Sequence, residues 1–237
     1  MGIERSFTMW IIAQTWQDVL FLHWPVSPPE LEKHIPPELT LDLFAEDAWV
    51  SAVLFKVHGH RLRFLPPIPG LNTSLQLNVR TYVEYGGKKG IYFFHLDVTN
   101  YVFSKITALV SLPYRYSKIV GKQRDNDNTY TSYYKTLDER LRVSYTIGNN
   151  TQTNFDQWLV ERYHSWAKWN DTLFRIDIQH TPWELQQAEV KIQSNTLASF
   201  MKGTFQGTRP IAHYAKAKEA KVFPPVIEQR KTRSIQK

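Results

Sequence analysis

LQLNVRTYVE, residues 75–84, separates cleanly into two parities: Leu75, Leu77, Val79, Thr81 and Val83 on one side of an extended backbone, Gln76, Asn78, Arg80, Tyr82 and Glu84 on the other. The apolar side is a strand's core face. Two readings of the polar side stand. It faces water, as in an ordinary sheet, or the sheet curls on itself and turns these groups into a lumen, where an amide, a guanidinium and a phenol orient a ligand. Alternation alone does not choose between them.

Working outward, Gly86–Gly87 makes a hairpin turn and Ile91 to Val98 answers as the partner strand. Upstream lie a Pro-rich loop (Arg61 to Gly70), a strand from Trp49 to His58, a turn at Glu46–Asp47 and a strand across Leu39 to Leu43. Before these, Glu30 to Ile35 reads as a short helix between Pro28–Pro29 and Pro36–Pro37. An extended run through Val19, Phe21 and His23 is interrupted by Pro25 and follows a first strand around Thr8 to Trp16. Downstream, Tyr101 to Leu112 has helical spacing and stops at Pro113. Strands follow near Thr129 to Lys135 and Glu139 to Ile147, then a loop from Gly148 to Asn154 and a helical turn from Phe155 to His164. Leu173 to Ile178 and Glu184 to Ile192 read as two strands, and Ser194 to Met201 reads as a late helix. The class is α+β, mostly β, without internal repeats.

The chain has 237 residues, 42% of them hydrophobic and 14% aromatic, enough to bury one core and to line a cavity with rings. Cysteine is absent, which removes disulfides and thiolate metal sites and points to the cytoplasm. No run approaches eighteen apolar residues, so no membrane span is expected. The net charge of +7 is uneven: residues 215–237 hold seven Lys or Arg against two Glu. The expectation is a single domain over 1–214 and a basic, flexible tail over 215–237. Nucleic-acid binding through that tail ranks last among the functions considered. No nucleotide-binding, nucleophile-elbow or zincin motif occurs, and no cofactor is expected.

Four segments in order, HWPVSPPELEKHIPPELTLDLFAEDAWVSAVLF (23–55), LNVRTYVEYGGKKGIYFFHLDV (77–98), LPYRY (112–116) and WLVERY (158–163), resemble the uncharacterised YqjF-like branch of the acetoacetate-decarboxylase-like superfamily. The resemblance implies an antiparallel β-barrel or cone with a few short helices. In the decarboxylase a proline precedes two lysines; here Tyr114 and Arg115 follow Pro113. A Schiff base requires an amine that loses its proton, which neither side chain offers. Imine chemistry is therefore expected to be absent unless Lys118 or Lys105 has taken over the role. The superfamily's carboxylate position falls near Gln76, an amide without acid or base function near neutral pH.

The ligand-binding candidates are Gln76, Asn78, Arg80, Tyr82, His95, Tyr114, Arg115, Arg162 and Tyr163. Each carries a plainer alternative. His23 and His95 are either pocket groups or hydrogen-bonded core histidines, and His58–Gly59–His60 reads as a solvent-facing rim rather than a zinc site. Arg162 and Tyr163, in a Glu-Arg-Tyr triplet that the resemblance marks as recurrent, either close a cavity mouth or form a surface ion pair. The leading expectation is a barrel cavity for a small anionic or carbonyl ligand. The alternative is an enzyme acting on a related carbonyl compound through Tyr, His or Arg.

Overall fold

The computed structural model describes residues 9–65, 73–101, 104, 112–123, 128–201 and 203–230. Fourteen strands among them form one continuous sheet. In chain order they are β1 (Ile12–Val26), β2 (Thr40–Leu41), β3 (Ala48–Leu62), β4 (Thr73–Tyr85), β5 (Lys88–Val98), β6 (Tyr114–Tyr116), β7 (Lys118–Lys122), β8 (Asn128–Tyr134), β9 (Glu139–Thr151), β10 (His164–Trp169), β11 (Thr172–Gln179), β12 (Leu185–Asn195), β13 (Ile211–Val222) and β14 (Val226–Arg230). Helix α1 spans Pro28–Glu32 and α2 spans Asn154–Val160.

Seven of the strands close into a ring. The pairing runs β11–β10–β5–β4–β3–β1–β13, and β13 meets β11 again. From β13 an arm of β12, β9, β8 and β7 folds back over the outside of the ring. The ring is not wholly antiparallel: β10 runs parallel to β5 through Ser165↔Ile91 and Trp166↔Tyr92, and β6 is also parallel to β5. Gly90 permits that approach, because a Cβ there would lie 2.5 Å from the carbonyl oxygen of His164.

Alternation assigns the two faces. Leu20, Leu22, Val50, Ala52, Leu77 and Val79 point outward and pack against Leu141, Val143 and Tyr145 of the arm. Val19, Phe21, Val53, Phe55, Tyr82 and Ile91 point into the ring. The polar parity of β4 therefore turns inward with them, the second of the two possibilities left by the sequence.

Several boundaries differ from expectation. Residues 215–222 are not a tail but most of β13, which pairs with β1 over Ile12↔Val222 to His23↔Ile211; β14 adds an edge strand beyond it. The buried positions there are Ala215, Lys218 and Ala220, whose small or amphipathic side chains carry little strand propensity. β1 runs unbroken through Pro25, and the expected strand at Leu39 to Leu43 shrinks to Thr40–Leu41. The first helix stops at Glu32 because the residue before Pro36 disfavours helical backbone. β9 extends to Thr151, absorbing half of the expected loop, and the expected late helix is the end of β12 followed by a single 3-10 turn at Ser199–Met201. The helix expected over Tyr101 to Leu112 falls mostly outside the described residues.

Candidate functional site

Two bulges shape the inner face. In β1, Gln17 faces Lys56 and Leu20 faces Leu54, so one residue is extra, and Asp18 takes φ 53° to absorb it. Trp16 and Val19, three residues apart, consequently both point inward, where a regular strand would have set them on opposite faces. The Asp18 carboxylate holds the bulge by accepting a hydrogen bond from the Tyr214 hydroxyl at 2.9 Å. In β5, Phe93 faces Arg80 and His95 faces Val79, leaving Phe94 as the extra residue.

The bulges leave a cavity of about 50 Å³ within the ring. Its walls are Trp16, Phe21, Phe55, Phe93 and Trp183, with Asn78, Arg80, Arg162 and His180 as its polar groups. At roughly 10–15 Å³ per water-sized site, such a volume corresponds to about three to five such sites, room for a small molecule only.

Arg80 is the anomaly of this site. Its guanidinium lies 5.9 Å from the Phe21 ring centre, its Nε and Nη2 are closed off from solvent without a hydrogen-bond partner, and among the described residues it forms no ion pair. Burial pulls its pKa down, the nearby Tyr82 hydroxyl pulls it back up, and the Arg162 charge lowers it further. An uncompensated buried cation costs several kcal/mol.

Arg162 is partly matched. Its Nη1 donates to Asp42 Oδ2 at 2.5 Å and its Nε to the Trp158 carbonyl at 3.0 Å, while Nη2 has no partner. Asp42 is shared with Lys89 Nζ at 2.9 Å. Arg162 is thus 6% exposed and belongs to the cavity wall, not to a surface ion pair.

Around Arg80 lies a buried polar chain. The Tyr82 and Ser51 hydroxyls are 2.6 Å apart, and both bond His23 Nδ1, with Tyr82 at 3.0 Å. His213 donates from Nε2 to Asp156 Oδ1 at 3.0 Å, and its ring centre is 5.6 Å from that of His23. Asp156 is held in turn by the capping box that starts α2. Burial, the neighbouring His213 and Arg80 hold the His23 pKa well below its usual value; burial also lowers that of His213 despite Asp156. His23 Nε2 and His213 Nδ1 remain without partners.

The remaining candidates divide between the two faces. Gln76, 5% exposed, shares the inward parity but does not reach the cavity wall. Tyr114, paired with Leu96 beside Asn78, lies on the same face, and burial pushes its pKa up to about 12. Tyr163 stacks on His180 at 4.7 Å and donates to Glu161 Oε2 at 2.5 Å; burial, then Glu161, raise its pKa to about 12. His95 and Arg115, expected beside the ligand, are instead on the outer face, because the Phe94 bulge reverses the parity of β5 after Phe93. There Arg115 bonds Asp97 through Nε, His95 Nε2 at 3.2 Å and Glu139 Oε2 at 2.5 Å. Asp97 accepts from His95 Nδ1 at 3.0 Å, and its pKa is lowered: burial raises it, but His95 and Arg115 outweigh that.

Lys118 is exposed on β7 and Lys105 lies outside the described residues. Lys218, which the sequence placed in the tail, is 7% exposed; its Nζ is 5.8 Å from the Trp183 ring and donates to the Pro182 carbonyl at 2.7 Å and Thr181 Oγ1 at 3.2 Å. His58 and His60 bond separate partners, Thr73 and Gln14, and no cluster of three metal-binding side chains occurs among the described residues. His180 escaped the sequence reading because it sits in an irregular stretch after β11. Its only signal was Trp183 three positions on.

The model of a family described as "Uncharacterized conserved protein", DUF2071, matches residues 13–219. "Uncharacterized protein YqjF" of Bacillus subtilis (strain 168) is 36% identical over 225 aligned positions, with 91% of this chain and 92% of that protein covered. Among solved structures, an acetoacetate decarboxylase-like enzyme from Sphingomonas wittichii RW1 superposes with a TM-score of 0.70 at 11% identity, covering 98% of this chain and all of that one. The enduracididine biosynthesis enzyme MppR, complexed with pyruvate, gives 0.67 at 9% identity over 96% of this chain and 94% of its own. At such identities the likeness is one of fold. With the family match and the YqjF alignment both running nearly end to end, the chain belongs to the uncharacterised DUF2071 family and carries the acetoacetate-decarboxylase-like fold.

Proposed function

We propose that the ring binds a small organic anion, with its carboxylate on Arg80 and its body among the aromatic walls. One observation carries this reading: a guanidinium in an aromatic cavity with Nε and Nη2 unpartnered and, among the described residues, no acid beside it. A carboxylate accepting from both nitrogens supplies the missing countercharge in the fork geometry that suits guanidinium. Arg162 Nη2, also unpartnered on the same wall, offers a donor to a second ligand oxygen. Within this fold MppR is described in complex with pyruvate, a short carboxylate. The position after Pro113, where the decarboxylase resemblance puts a lysine pair, holds Tyr114 and Arg115, so this reading assigns no imine there.

The test is a thermal-shift series of short carboxylates against the full chain. Ligand at about a hundred times Kd stabilises by about 2.7 kcal/mol, roughly 5–10 °C for a chain of this size. The expected result is such a shift with two- to four-carbon acids and its loss in Arg80→Ala. Equal shifts in both proteins, or none in either, would refute the reading.

A further inference from the structure

His180 lies between two spaces, lining both the inner cavity and an outer groove of about 320 Å³ beside Gln14, Arg61 and Lys221. Its Nδ1 is 2.8 Å from the Thr181 carbonyl oxygen. A carbonyl only accepts, so Nδ1 carries the proton and Nε2 presents a lone pair. The ring is clamped by Tyr163 at 4.7 Å, Trp183 at 5.3 Å and Trp16 at 5.9 Å. Glu161 fixes two members of that clamp, accepting from the Tyr163 hydroxyl at 2.5 Å and the Trp183 backbone N–H at 2.7 Å. Among the described residues, nothing competes for Nε2. Burial lowers the His180 pKa, and the Arg80 and Lys218 charges act the same way against Glu161, which keeps the imidazole a neutral base near pH 7.

The same small cavity is lined by an anchor for one carboxylate, by Arg162 with a second unpartnered donor, and by the His180 ring. A ligand using all three has a carboxylate, an oxygen on the next carbon, and a hydrogen acidified by that oxygen's carbonyl. Short 2-oxo acids meet those terms within about six heavy atoms.

We propose that His180 is a catalytic general base that enolises a short 2-oxo carboxylate held by Arg80. The C–H bond next to the carbonyl breaks, and its proton goes to His180 Nε2. The electron pair forms the C=C bond, and the carbonyl π electrons move to oxygen, where Arg162 Nη2–H stabilises the enolate. Return of the proton from the imidazolium restores the ketone, so no oxidant or co-reactant is consumed. The proposal rests on the anion-binding reading above and adds a reaction to it.

Pyruvate in D₂O with the full chain tests it, with methyl protons followed by proton NMR and affinity by titration calorimetry. Exchange at least tenfold above the protein-free rate is expected, falling to background in His180→Gln while the pyruvate Kd moves less than threefold. Undiminished exchange in His180→Gln overturns the proposal, as does background exchange in a wild-type protein that binds pyruvate. In the latter case anion binding survives and only the base is lost; absence of pyruvate binding removes both. Borohydride trapping of pyruvate on Lys218, with exchange retained in His180→Gln, would reassign the chemistry to that amine. Should the glutamine variant not fold, nitrogen-15 NMR of histidine-labelled wild-type protein reads the tautomer directly. A proton on Nε2 sinks the proposal, and a proton on Nδ1 upholds its premise.

Discussion

Arg80 and Arg115 sit two strands apart, Arg80 on the central strand β4 and Arg115 on the short strand β6, with β5 between them. Arg115 is fully matched: Asp97, His95 and Glu139 surround it, and its guanidinium lies 3.9 Å from the Tyr134 ring centre. Arg80 has an aromatic neighbour too, but no acid among the described residues. The difference separates structure from site. A buried cation with built-in carboxylates finishes a fold, whereas one left without them leaves room for an anion from outside.

The largest expected effect falls on the matched cluster. Arg115→Leu takes the guanidinium countercharge from Asp97 and Glu139, each 1% exposed at the side chain, and should cost about 3–5 kcal/mol in urea denaturation. A loss under about 1 kcal/mol would erase the contrast.

Acidification sharpens it, because the two clusters titrate in separate windows. His23, beside Arg80, has a folded pKa below its ordinary 6.5, so below pH 6.5 the unfolded chain takes up the proton more readily and stability falls with pH. The slope approaches about 1.4 kcal/mol per pH unit for that one group. Asp97, beside Arg115, has a folded pKa below its ordinary 3.8; its contribution is full above 3.8 and disappears only as pH drops through the folded value. A single transition near pH 4, with a flat region from 5 to 6.5, would argue against a neutral buried His23.

Arg80→Met carries an opposite sign. Removing an unmatched charge in favour of an apolar chain of similar length should stabilise the unliganded protein by about 1–2 kcal/mol while abolishing carboxylate binding. Destabilisation above about 2 kcal/mol would show that the hydrogen bond between Arg80 and Tyr82 outweighs the unmatched charge. The smallest effect is Tyr163→Phe: loss of the hydrogen bond to Glu161 should cost about 1 kcal/mol and loosen His180 without touching Arg115.

The amino-acid sequence carries the ring's central hairpin plainly, since β4 alternates strictly and Gly86–Gly87 turns it into β5. Asn78 and Arg80 share the polar parity of β4, and the structure sets them, with Arg162, on the cavity wall. The sequence does not carry bulges: one extra residue at Phe94 sends His95 and Arg115 to the opposite face, and a period-two reading has no term for that. β13 was hidden for a different reason. Its alternation of Ala and Lys looks like solvated chain until β1 lies beside it, and only then does Lys218 read as inward. His180 has no periodicity at all; its place is set by the rings that clamp it.

The β10–β11 hairpin, finally, is a thinly stitched panel. It joins β5 through two residue pairs on one side and β13 through two on the other, whereas β1 and β3 share a ladder of twelve pairs. Backbone hydrogen bonds near short ladders break at lower free energy than those inside long ones. The amides of Ile178 and Gln179 should therefore exchange with deuterium ahead of those in β3. Because His180 follows directly, the part of the ring expected to open first is the wall beside that imidazole.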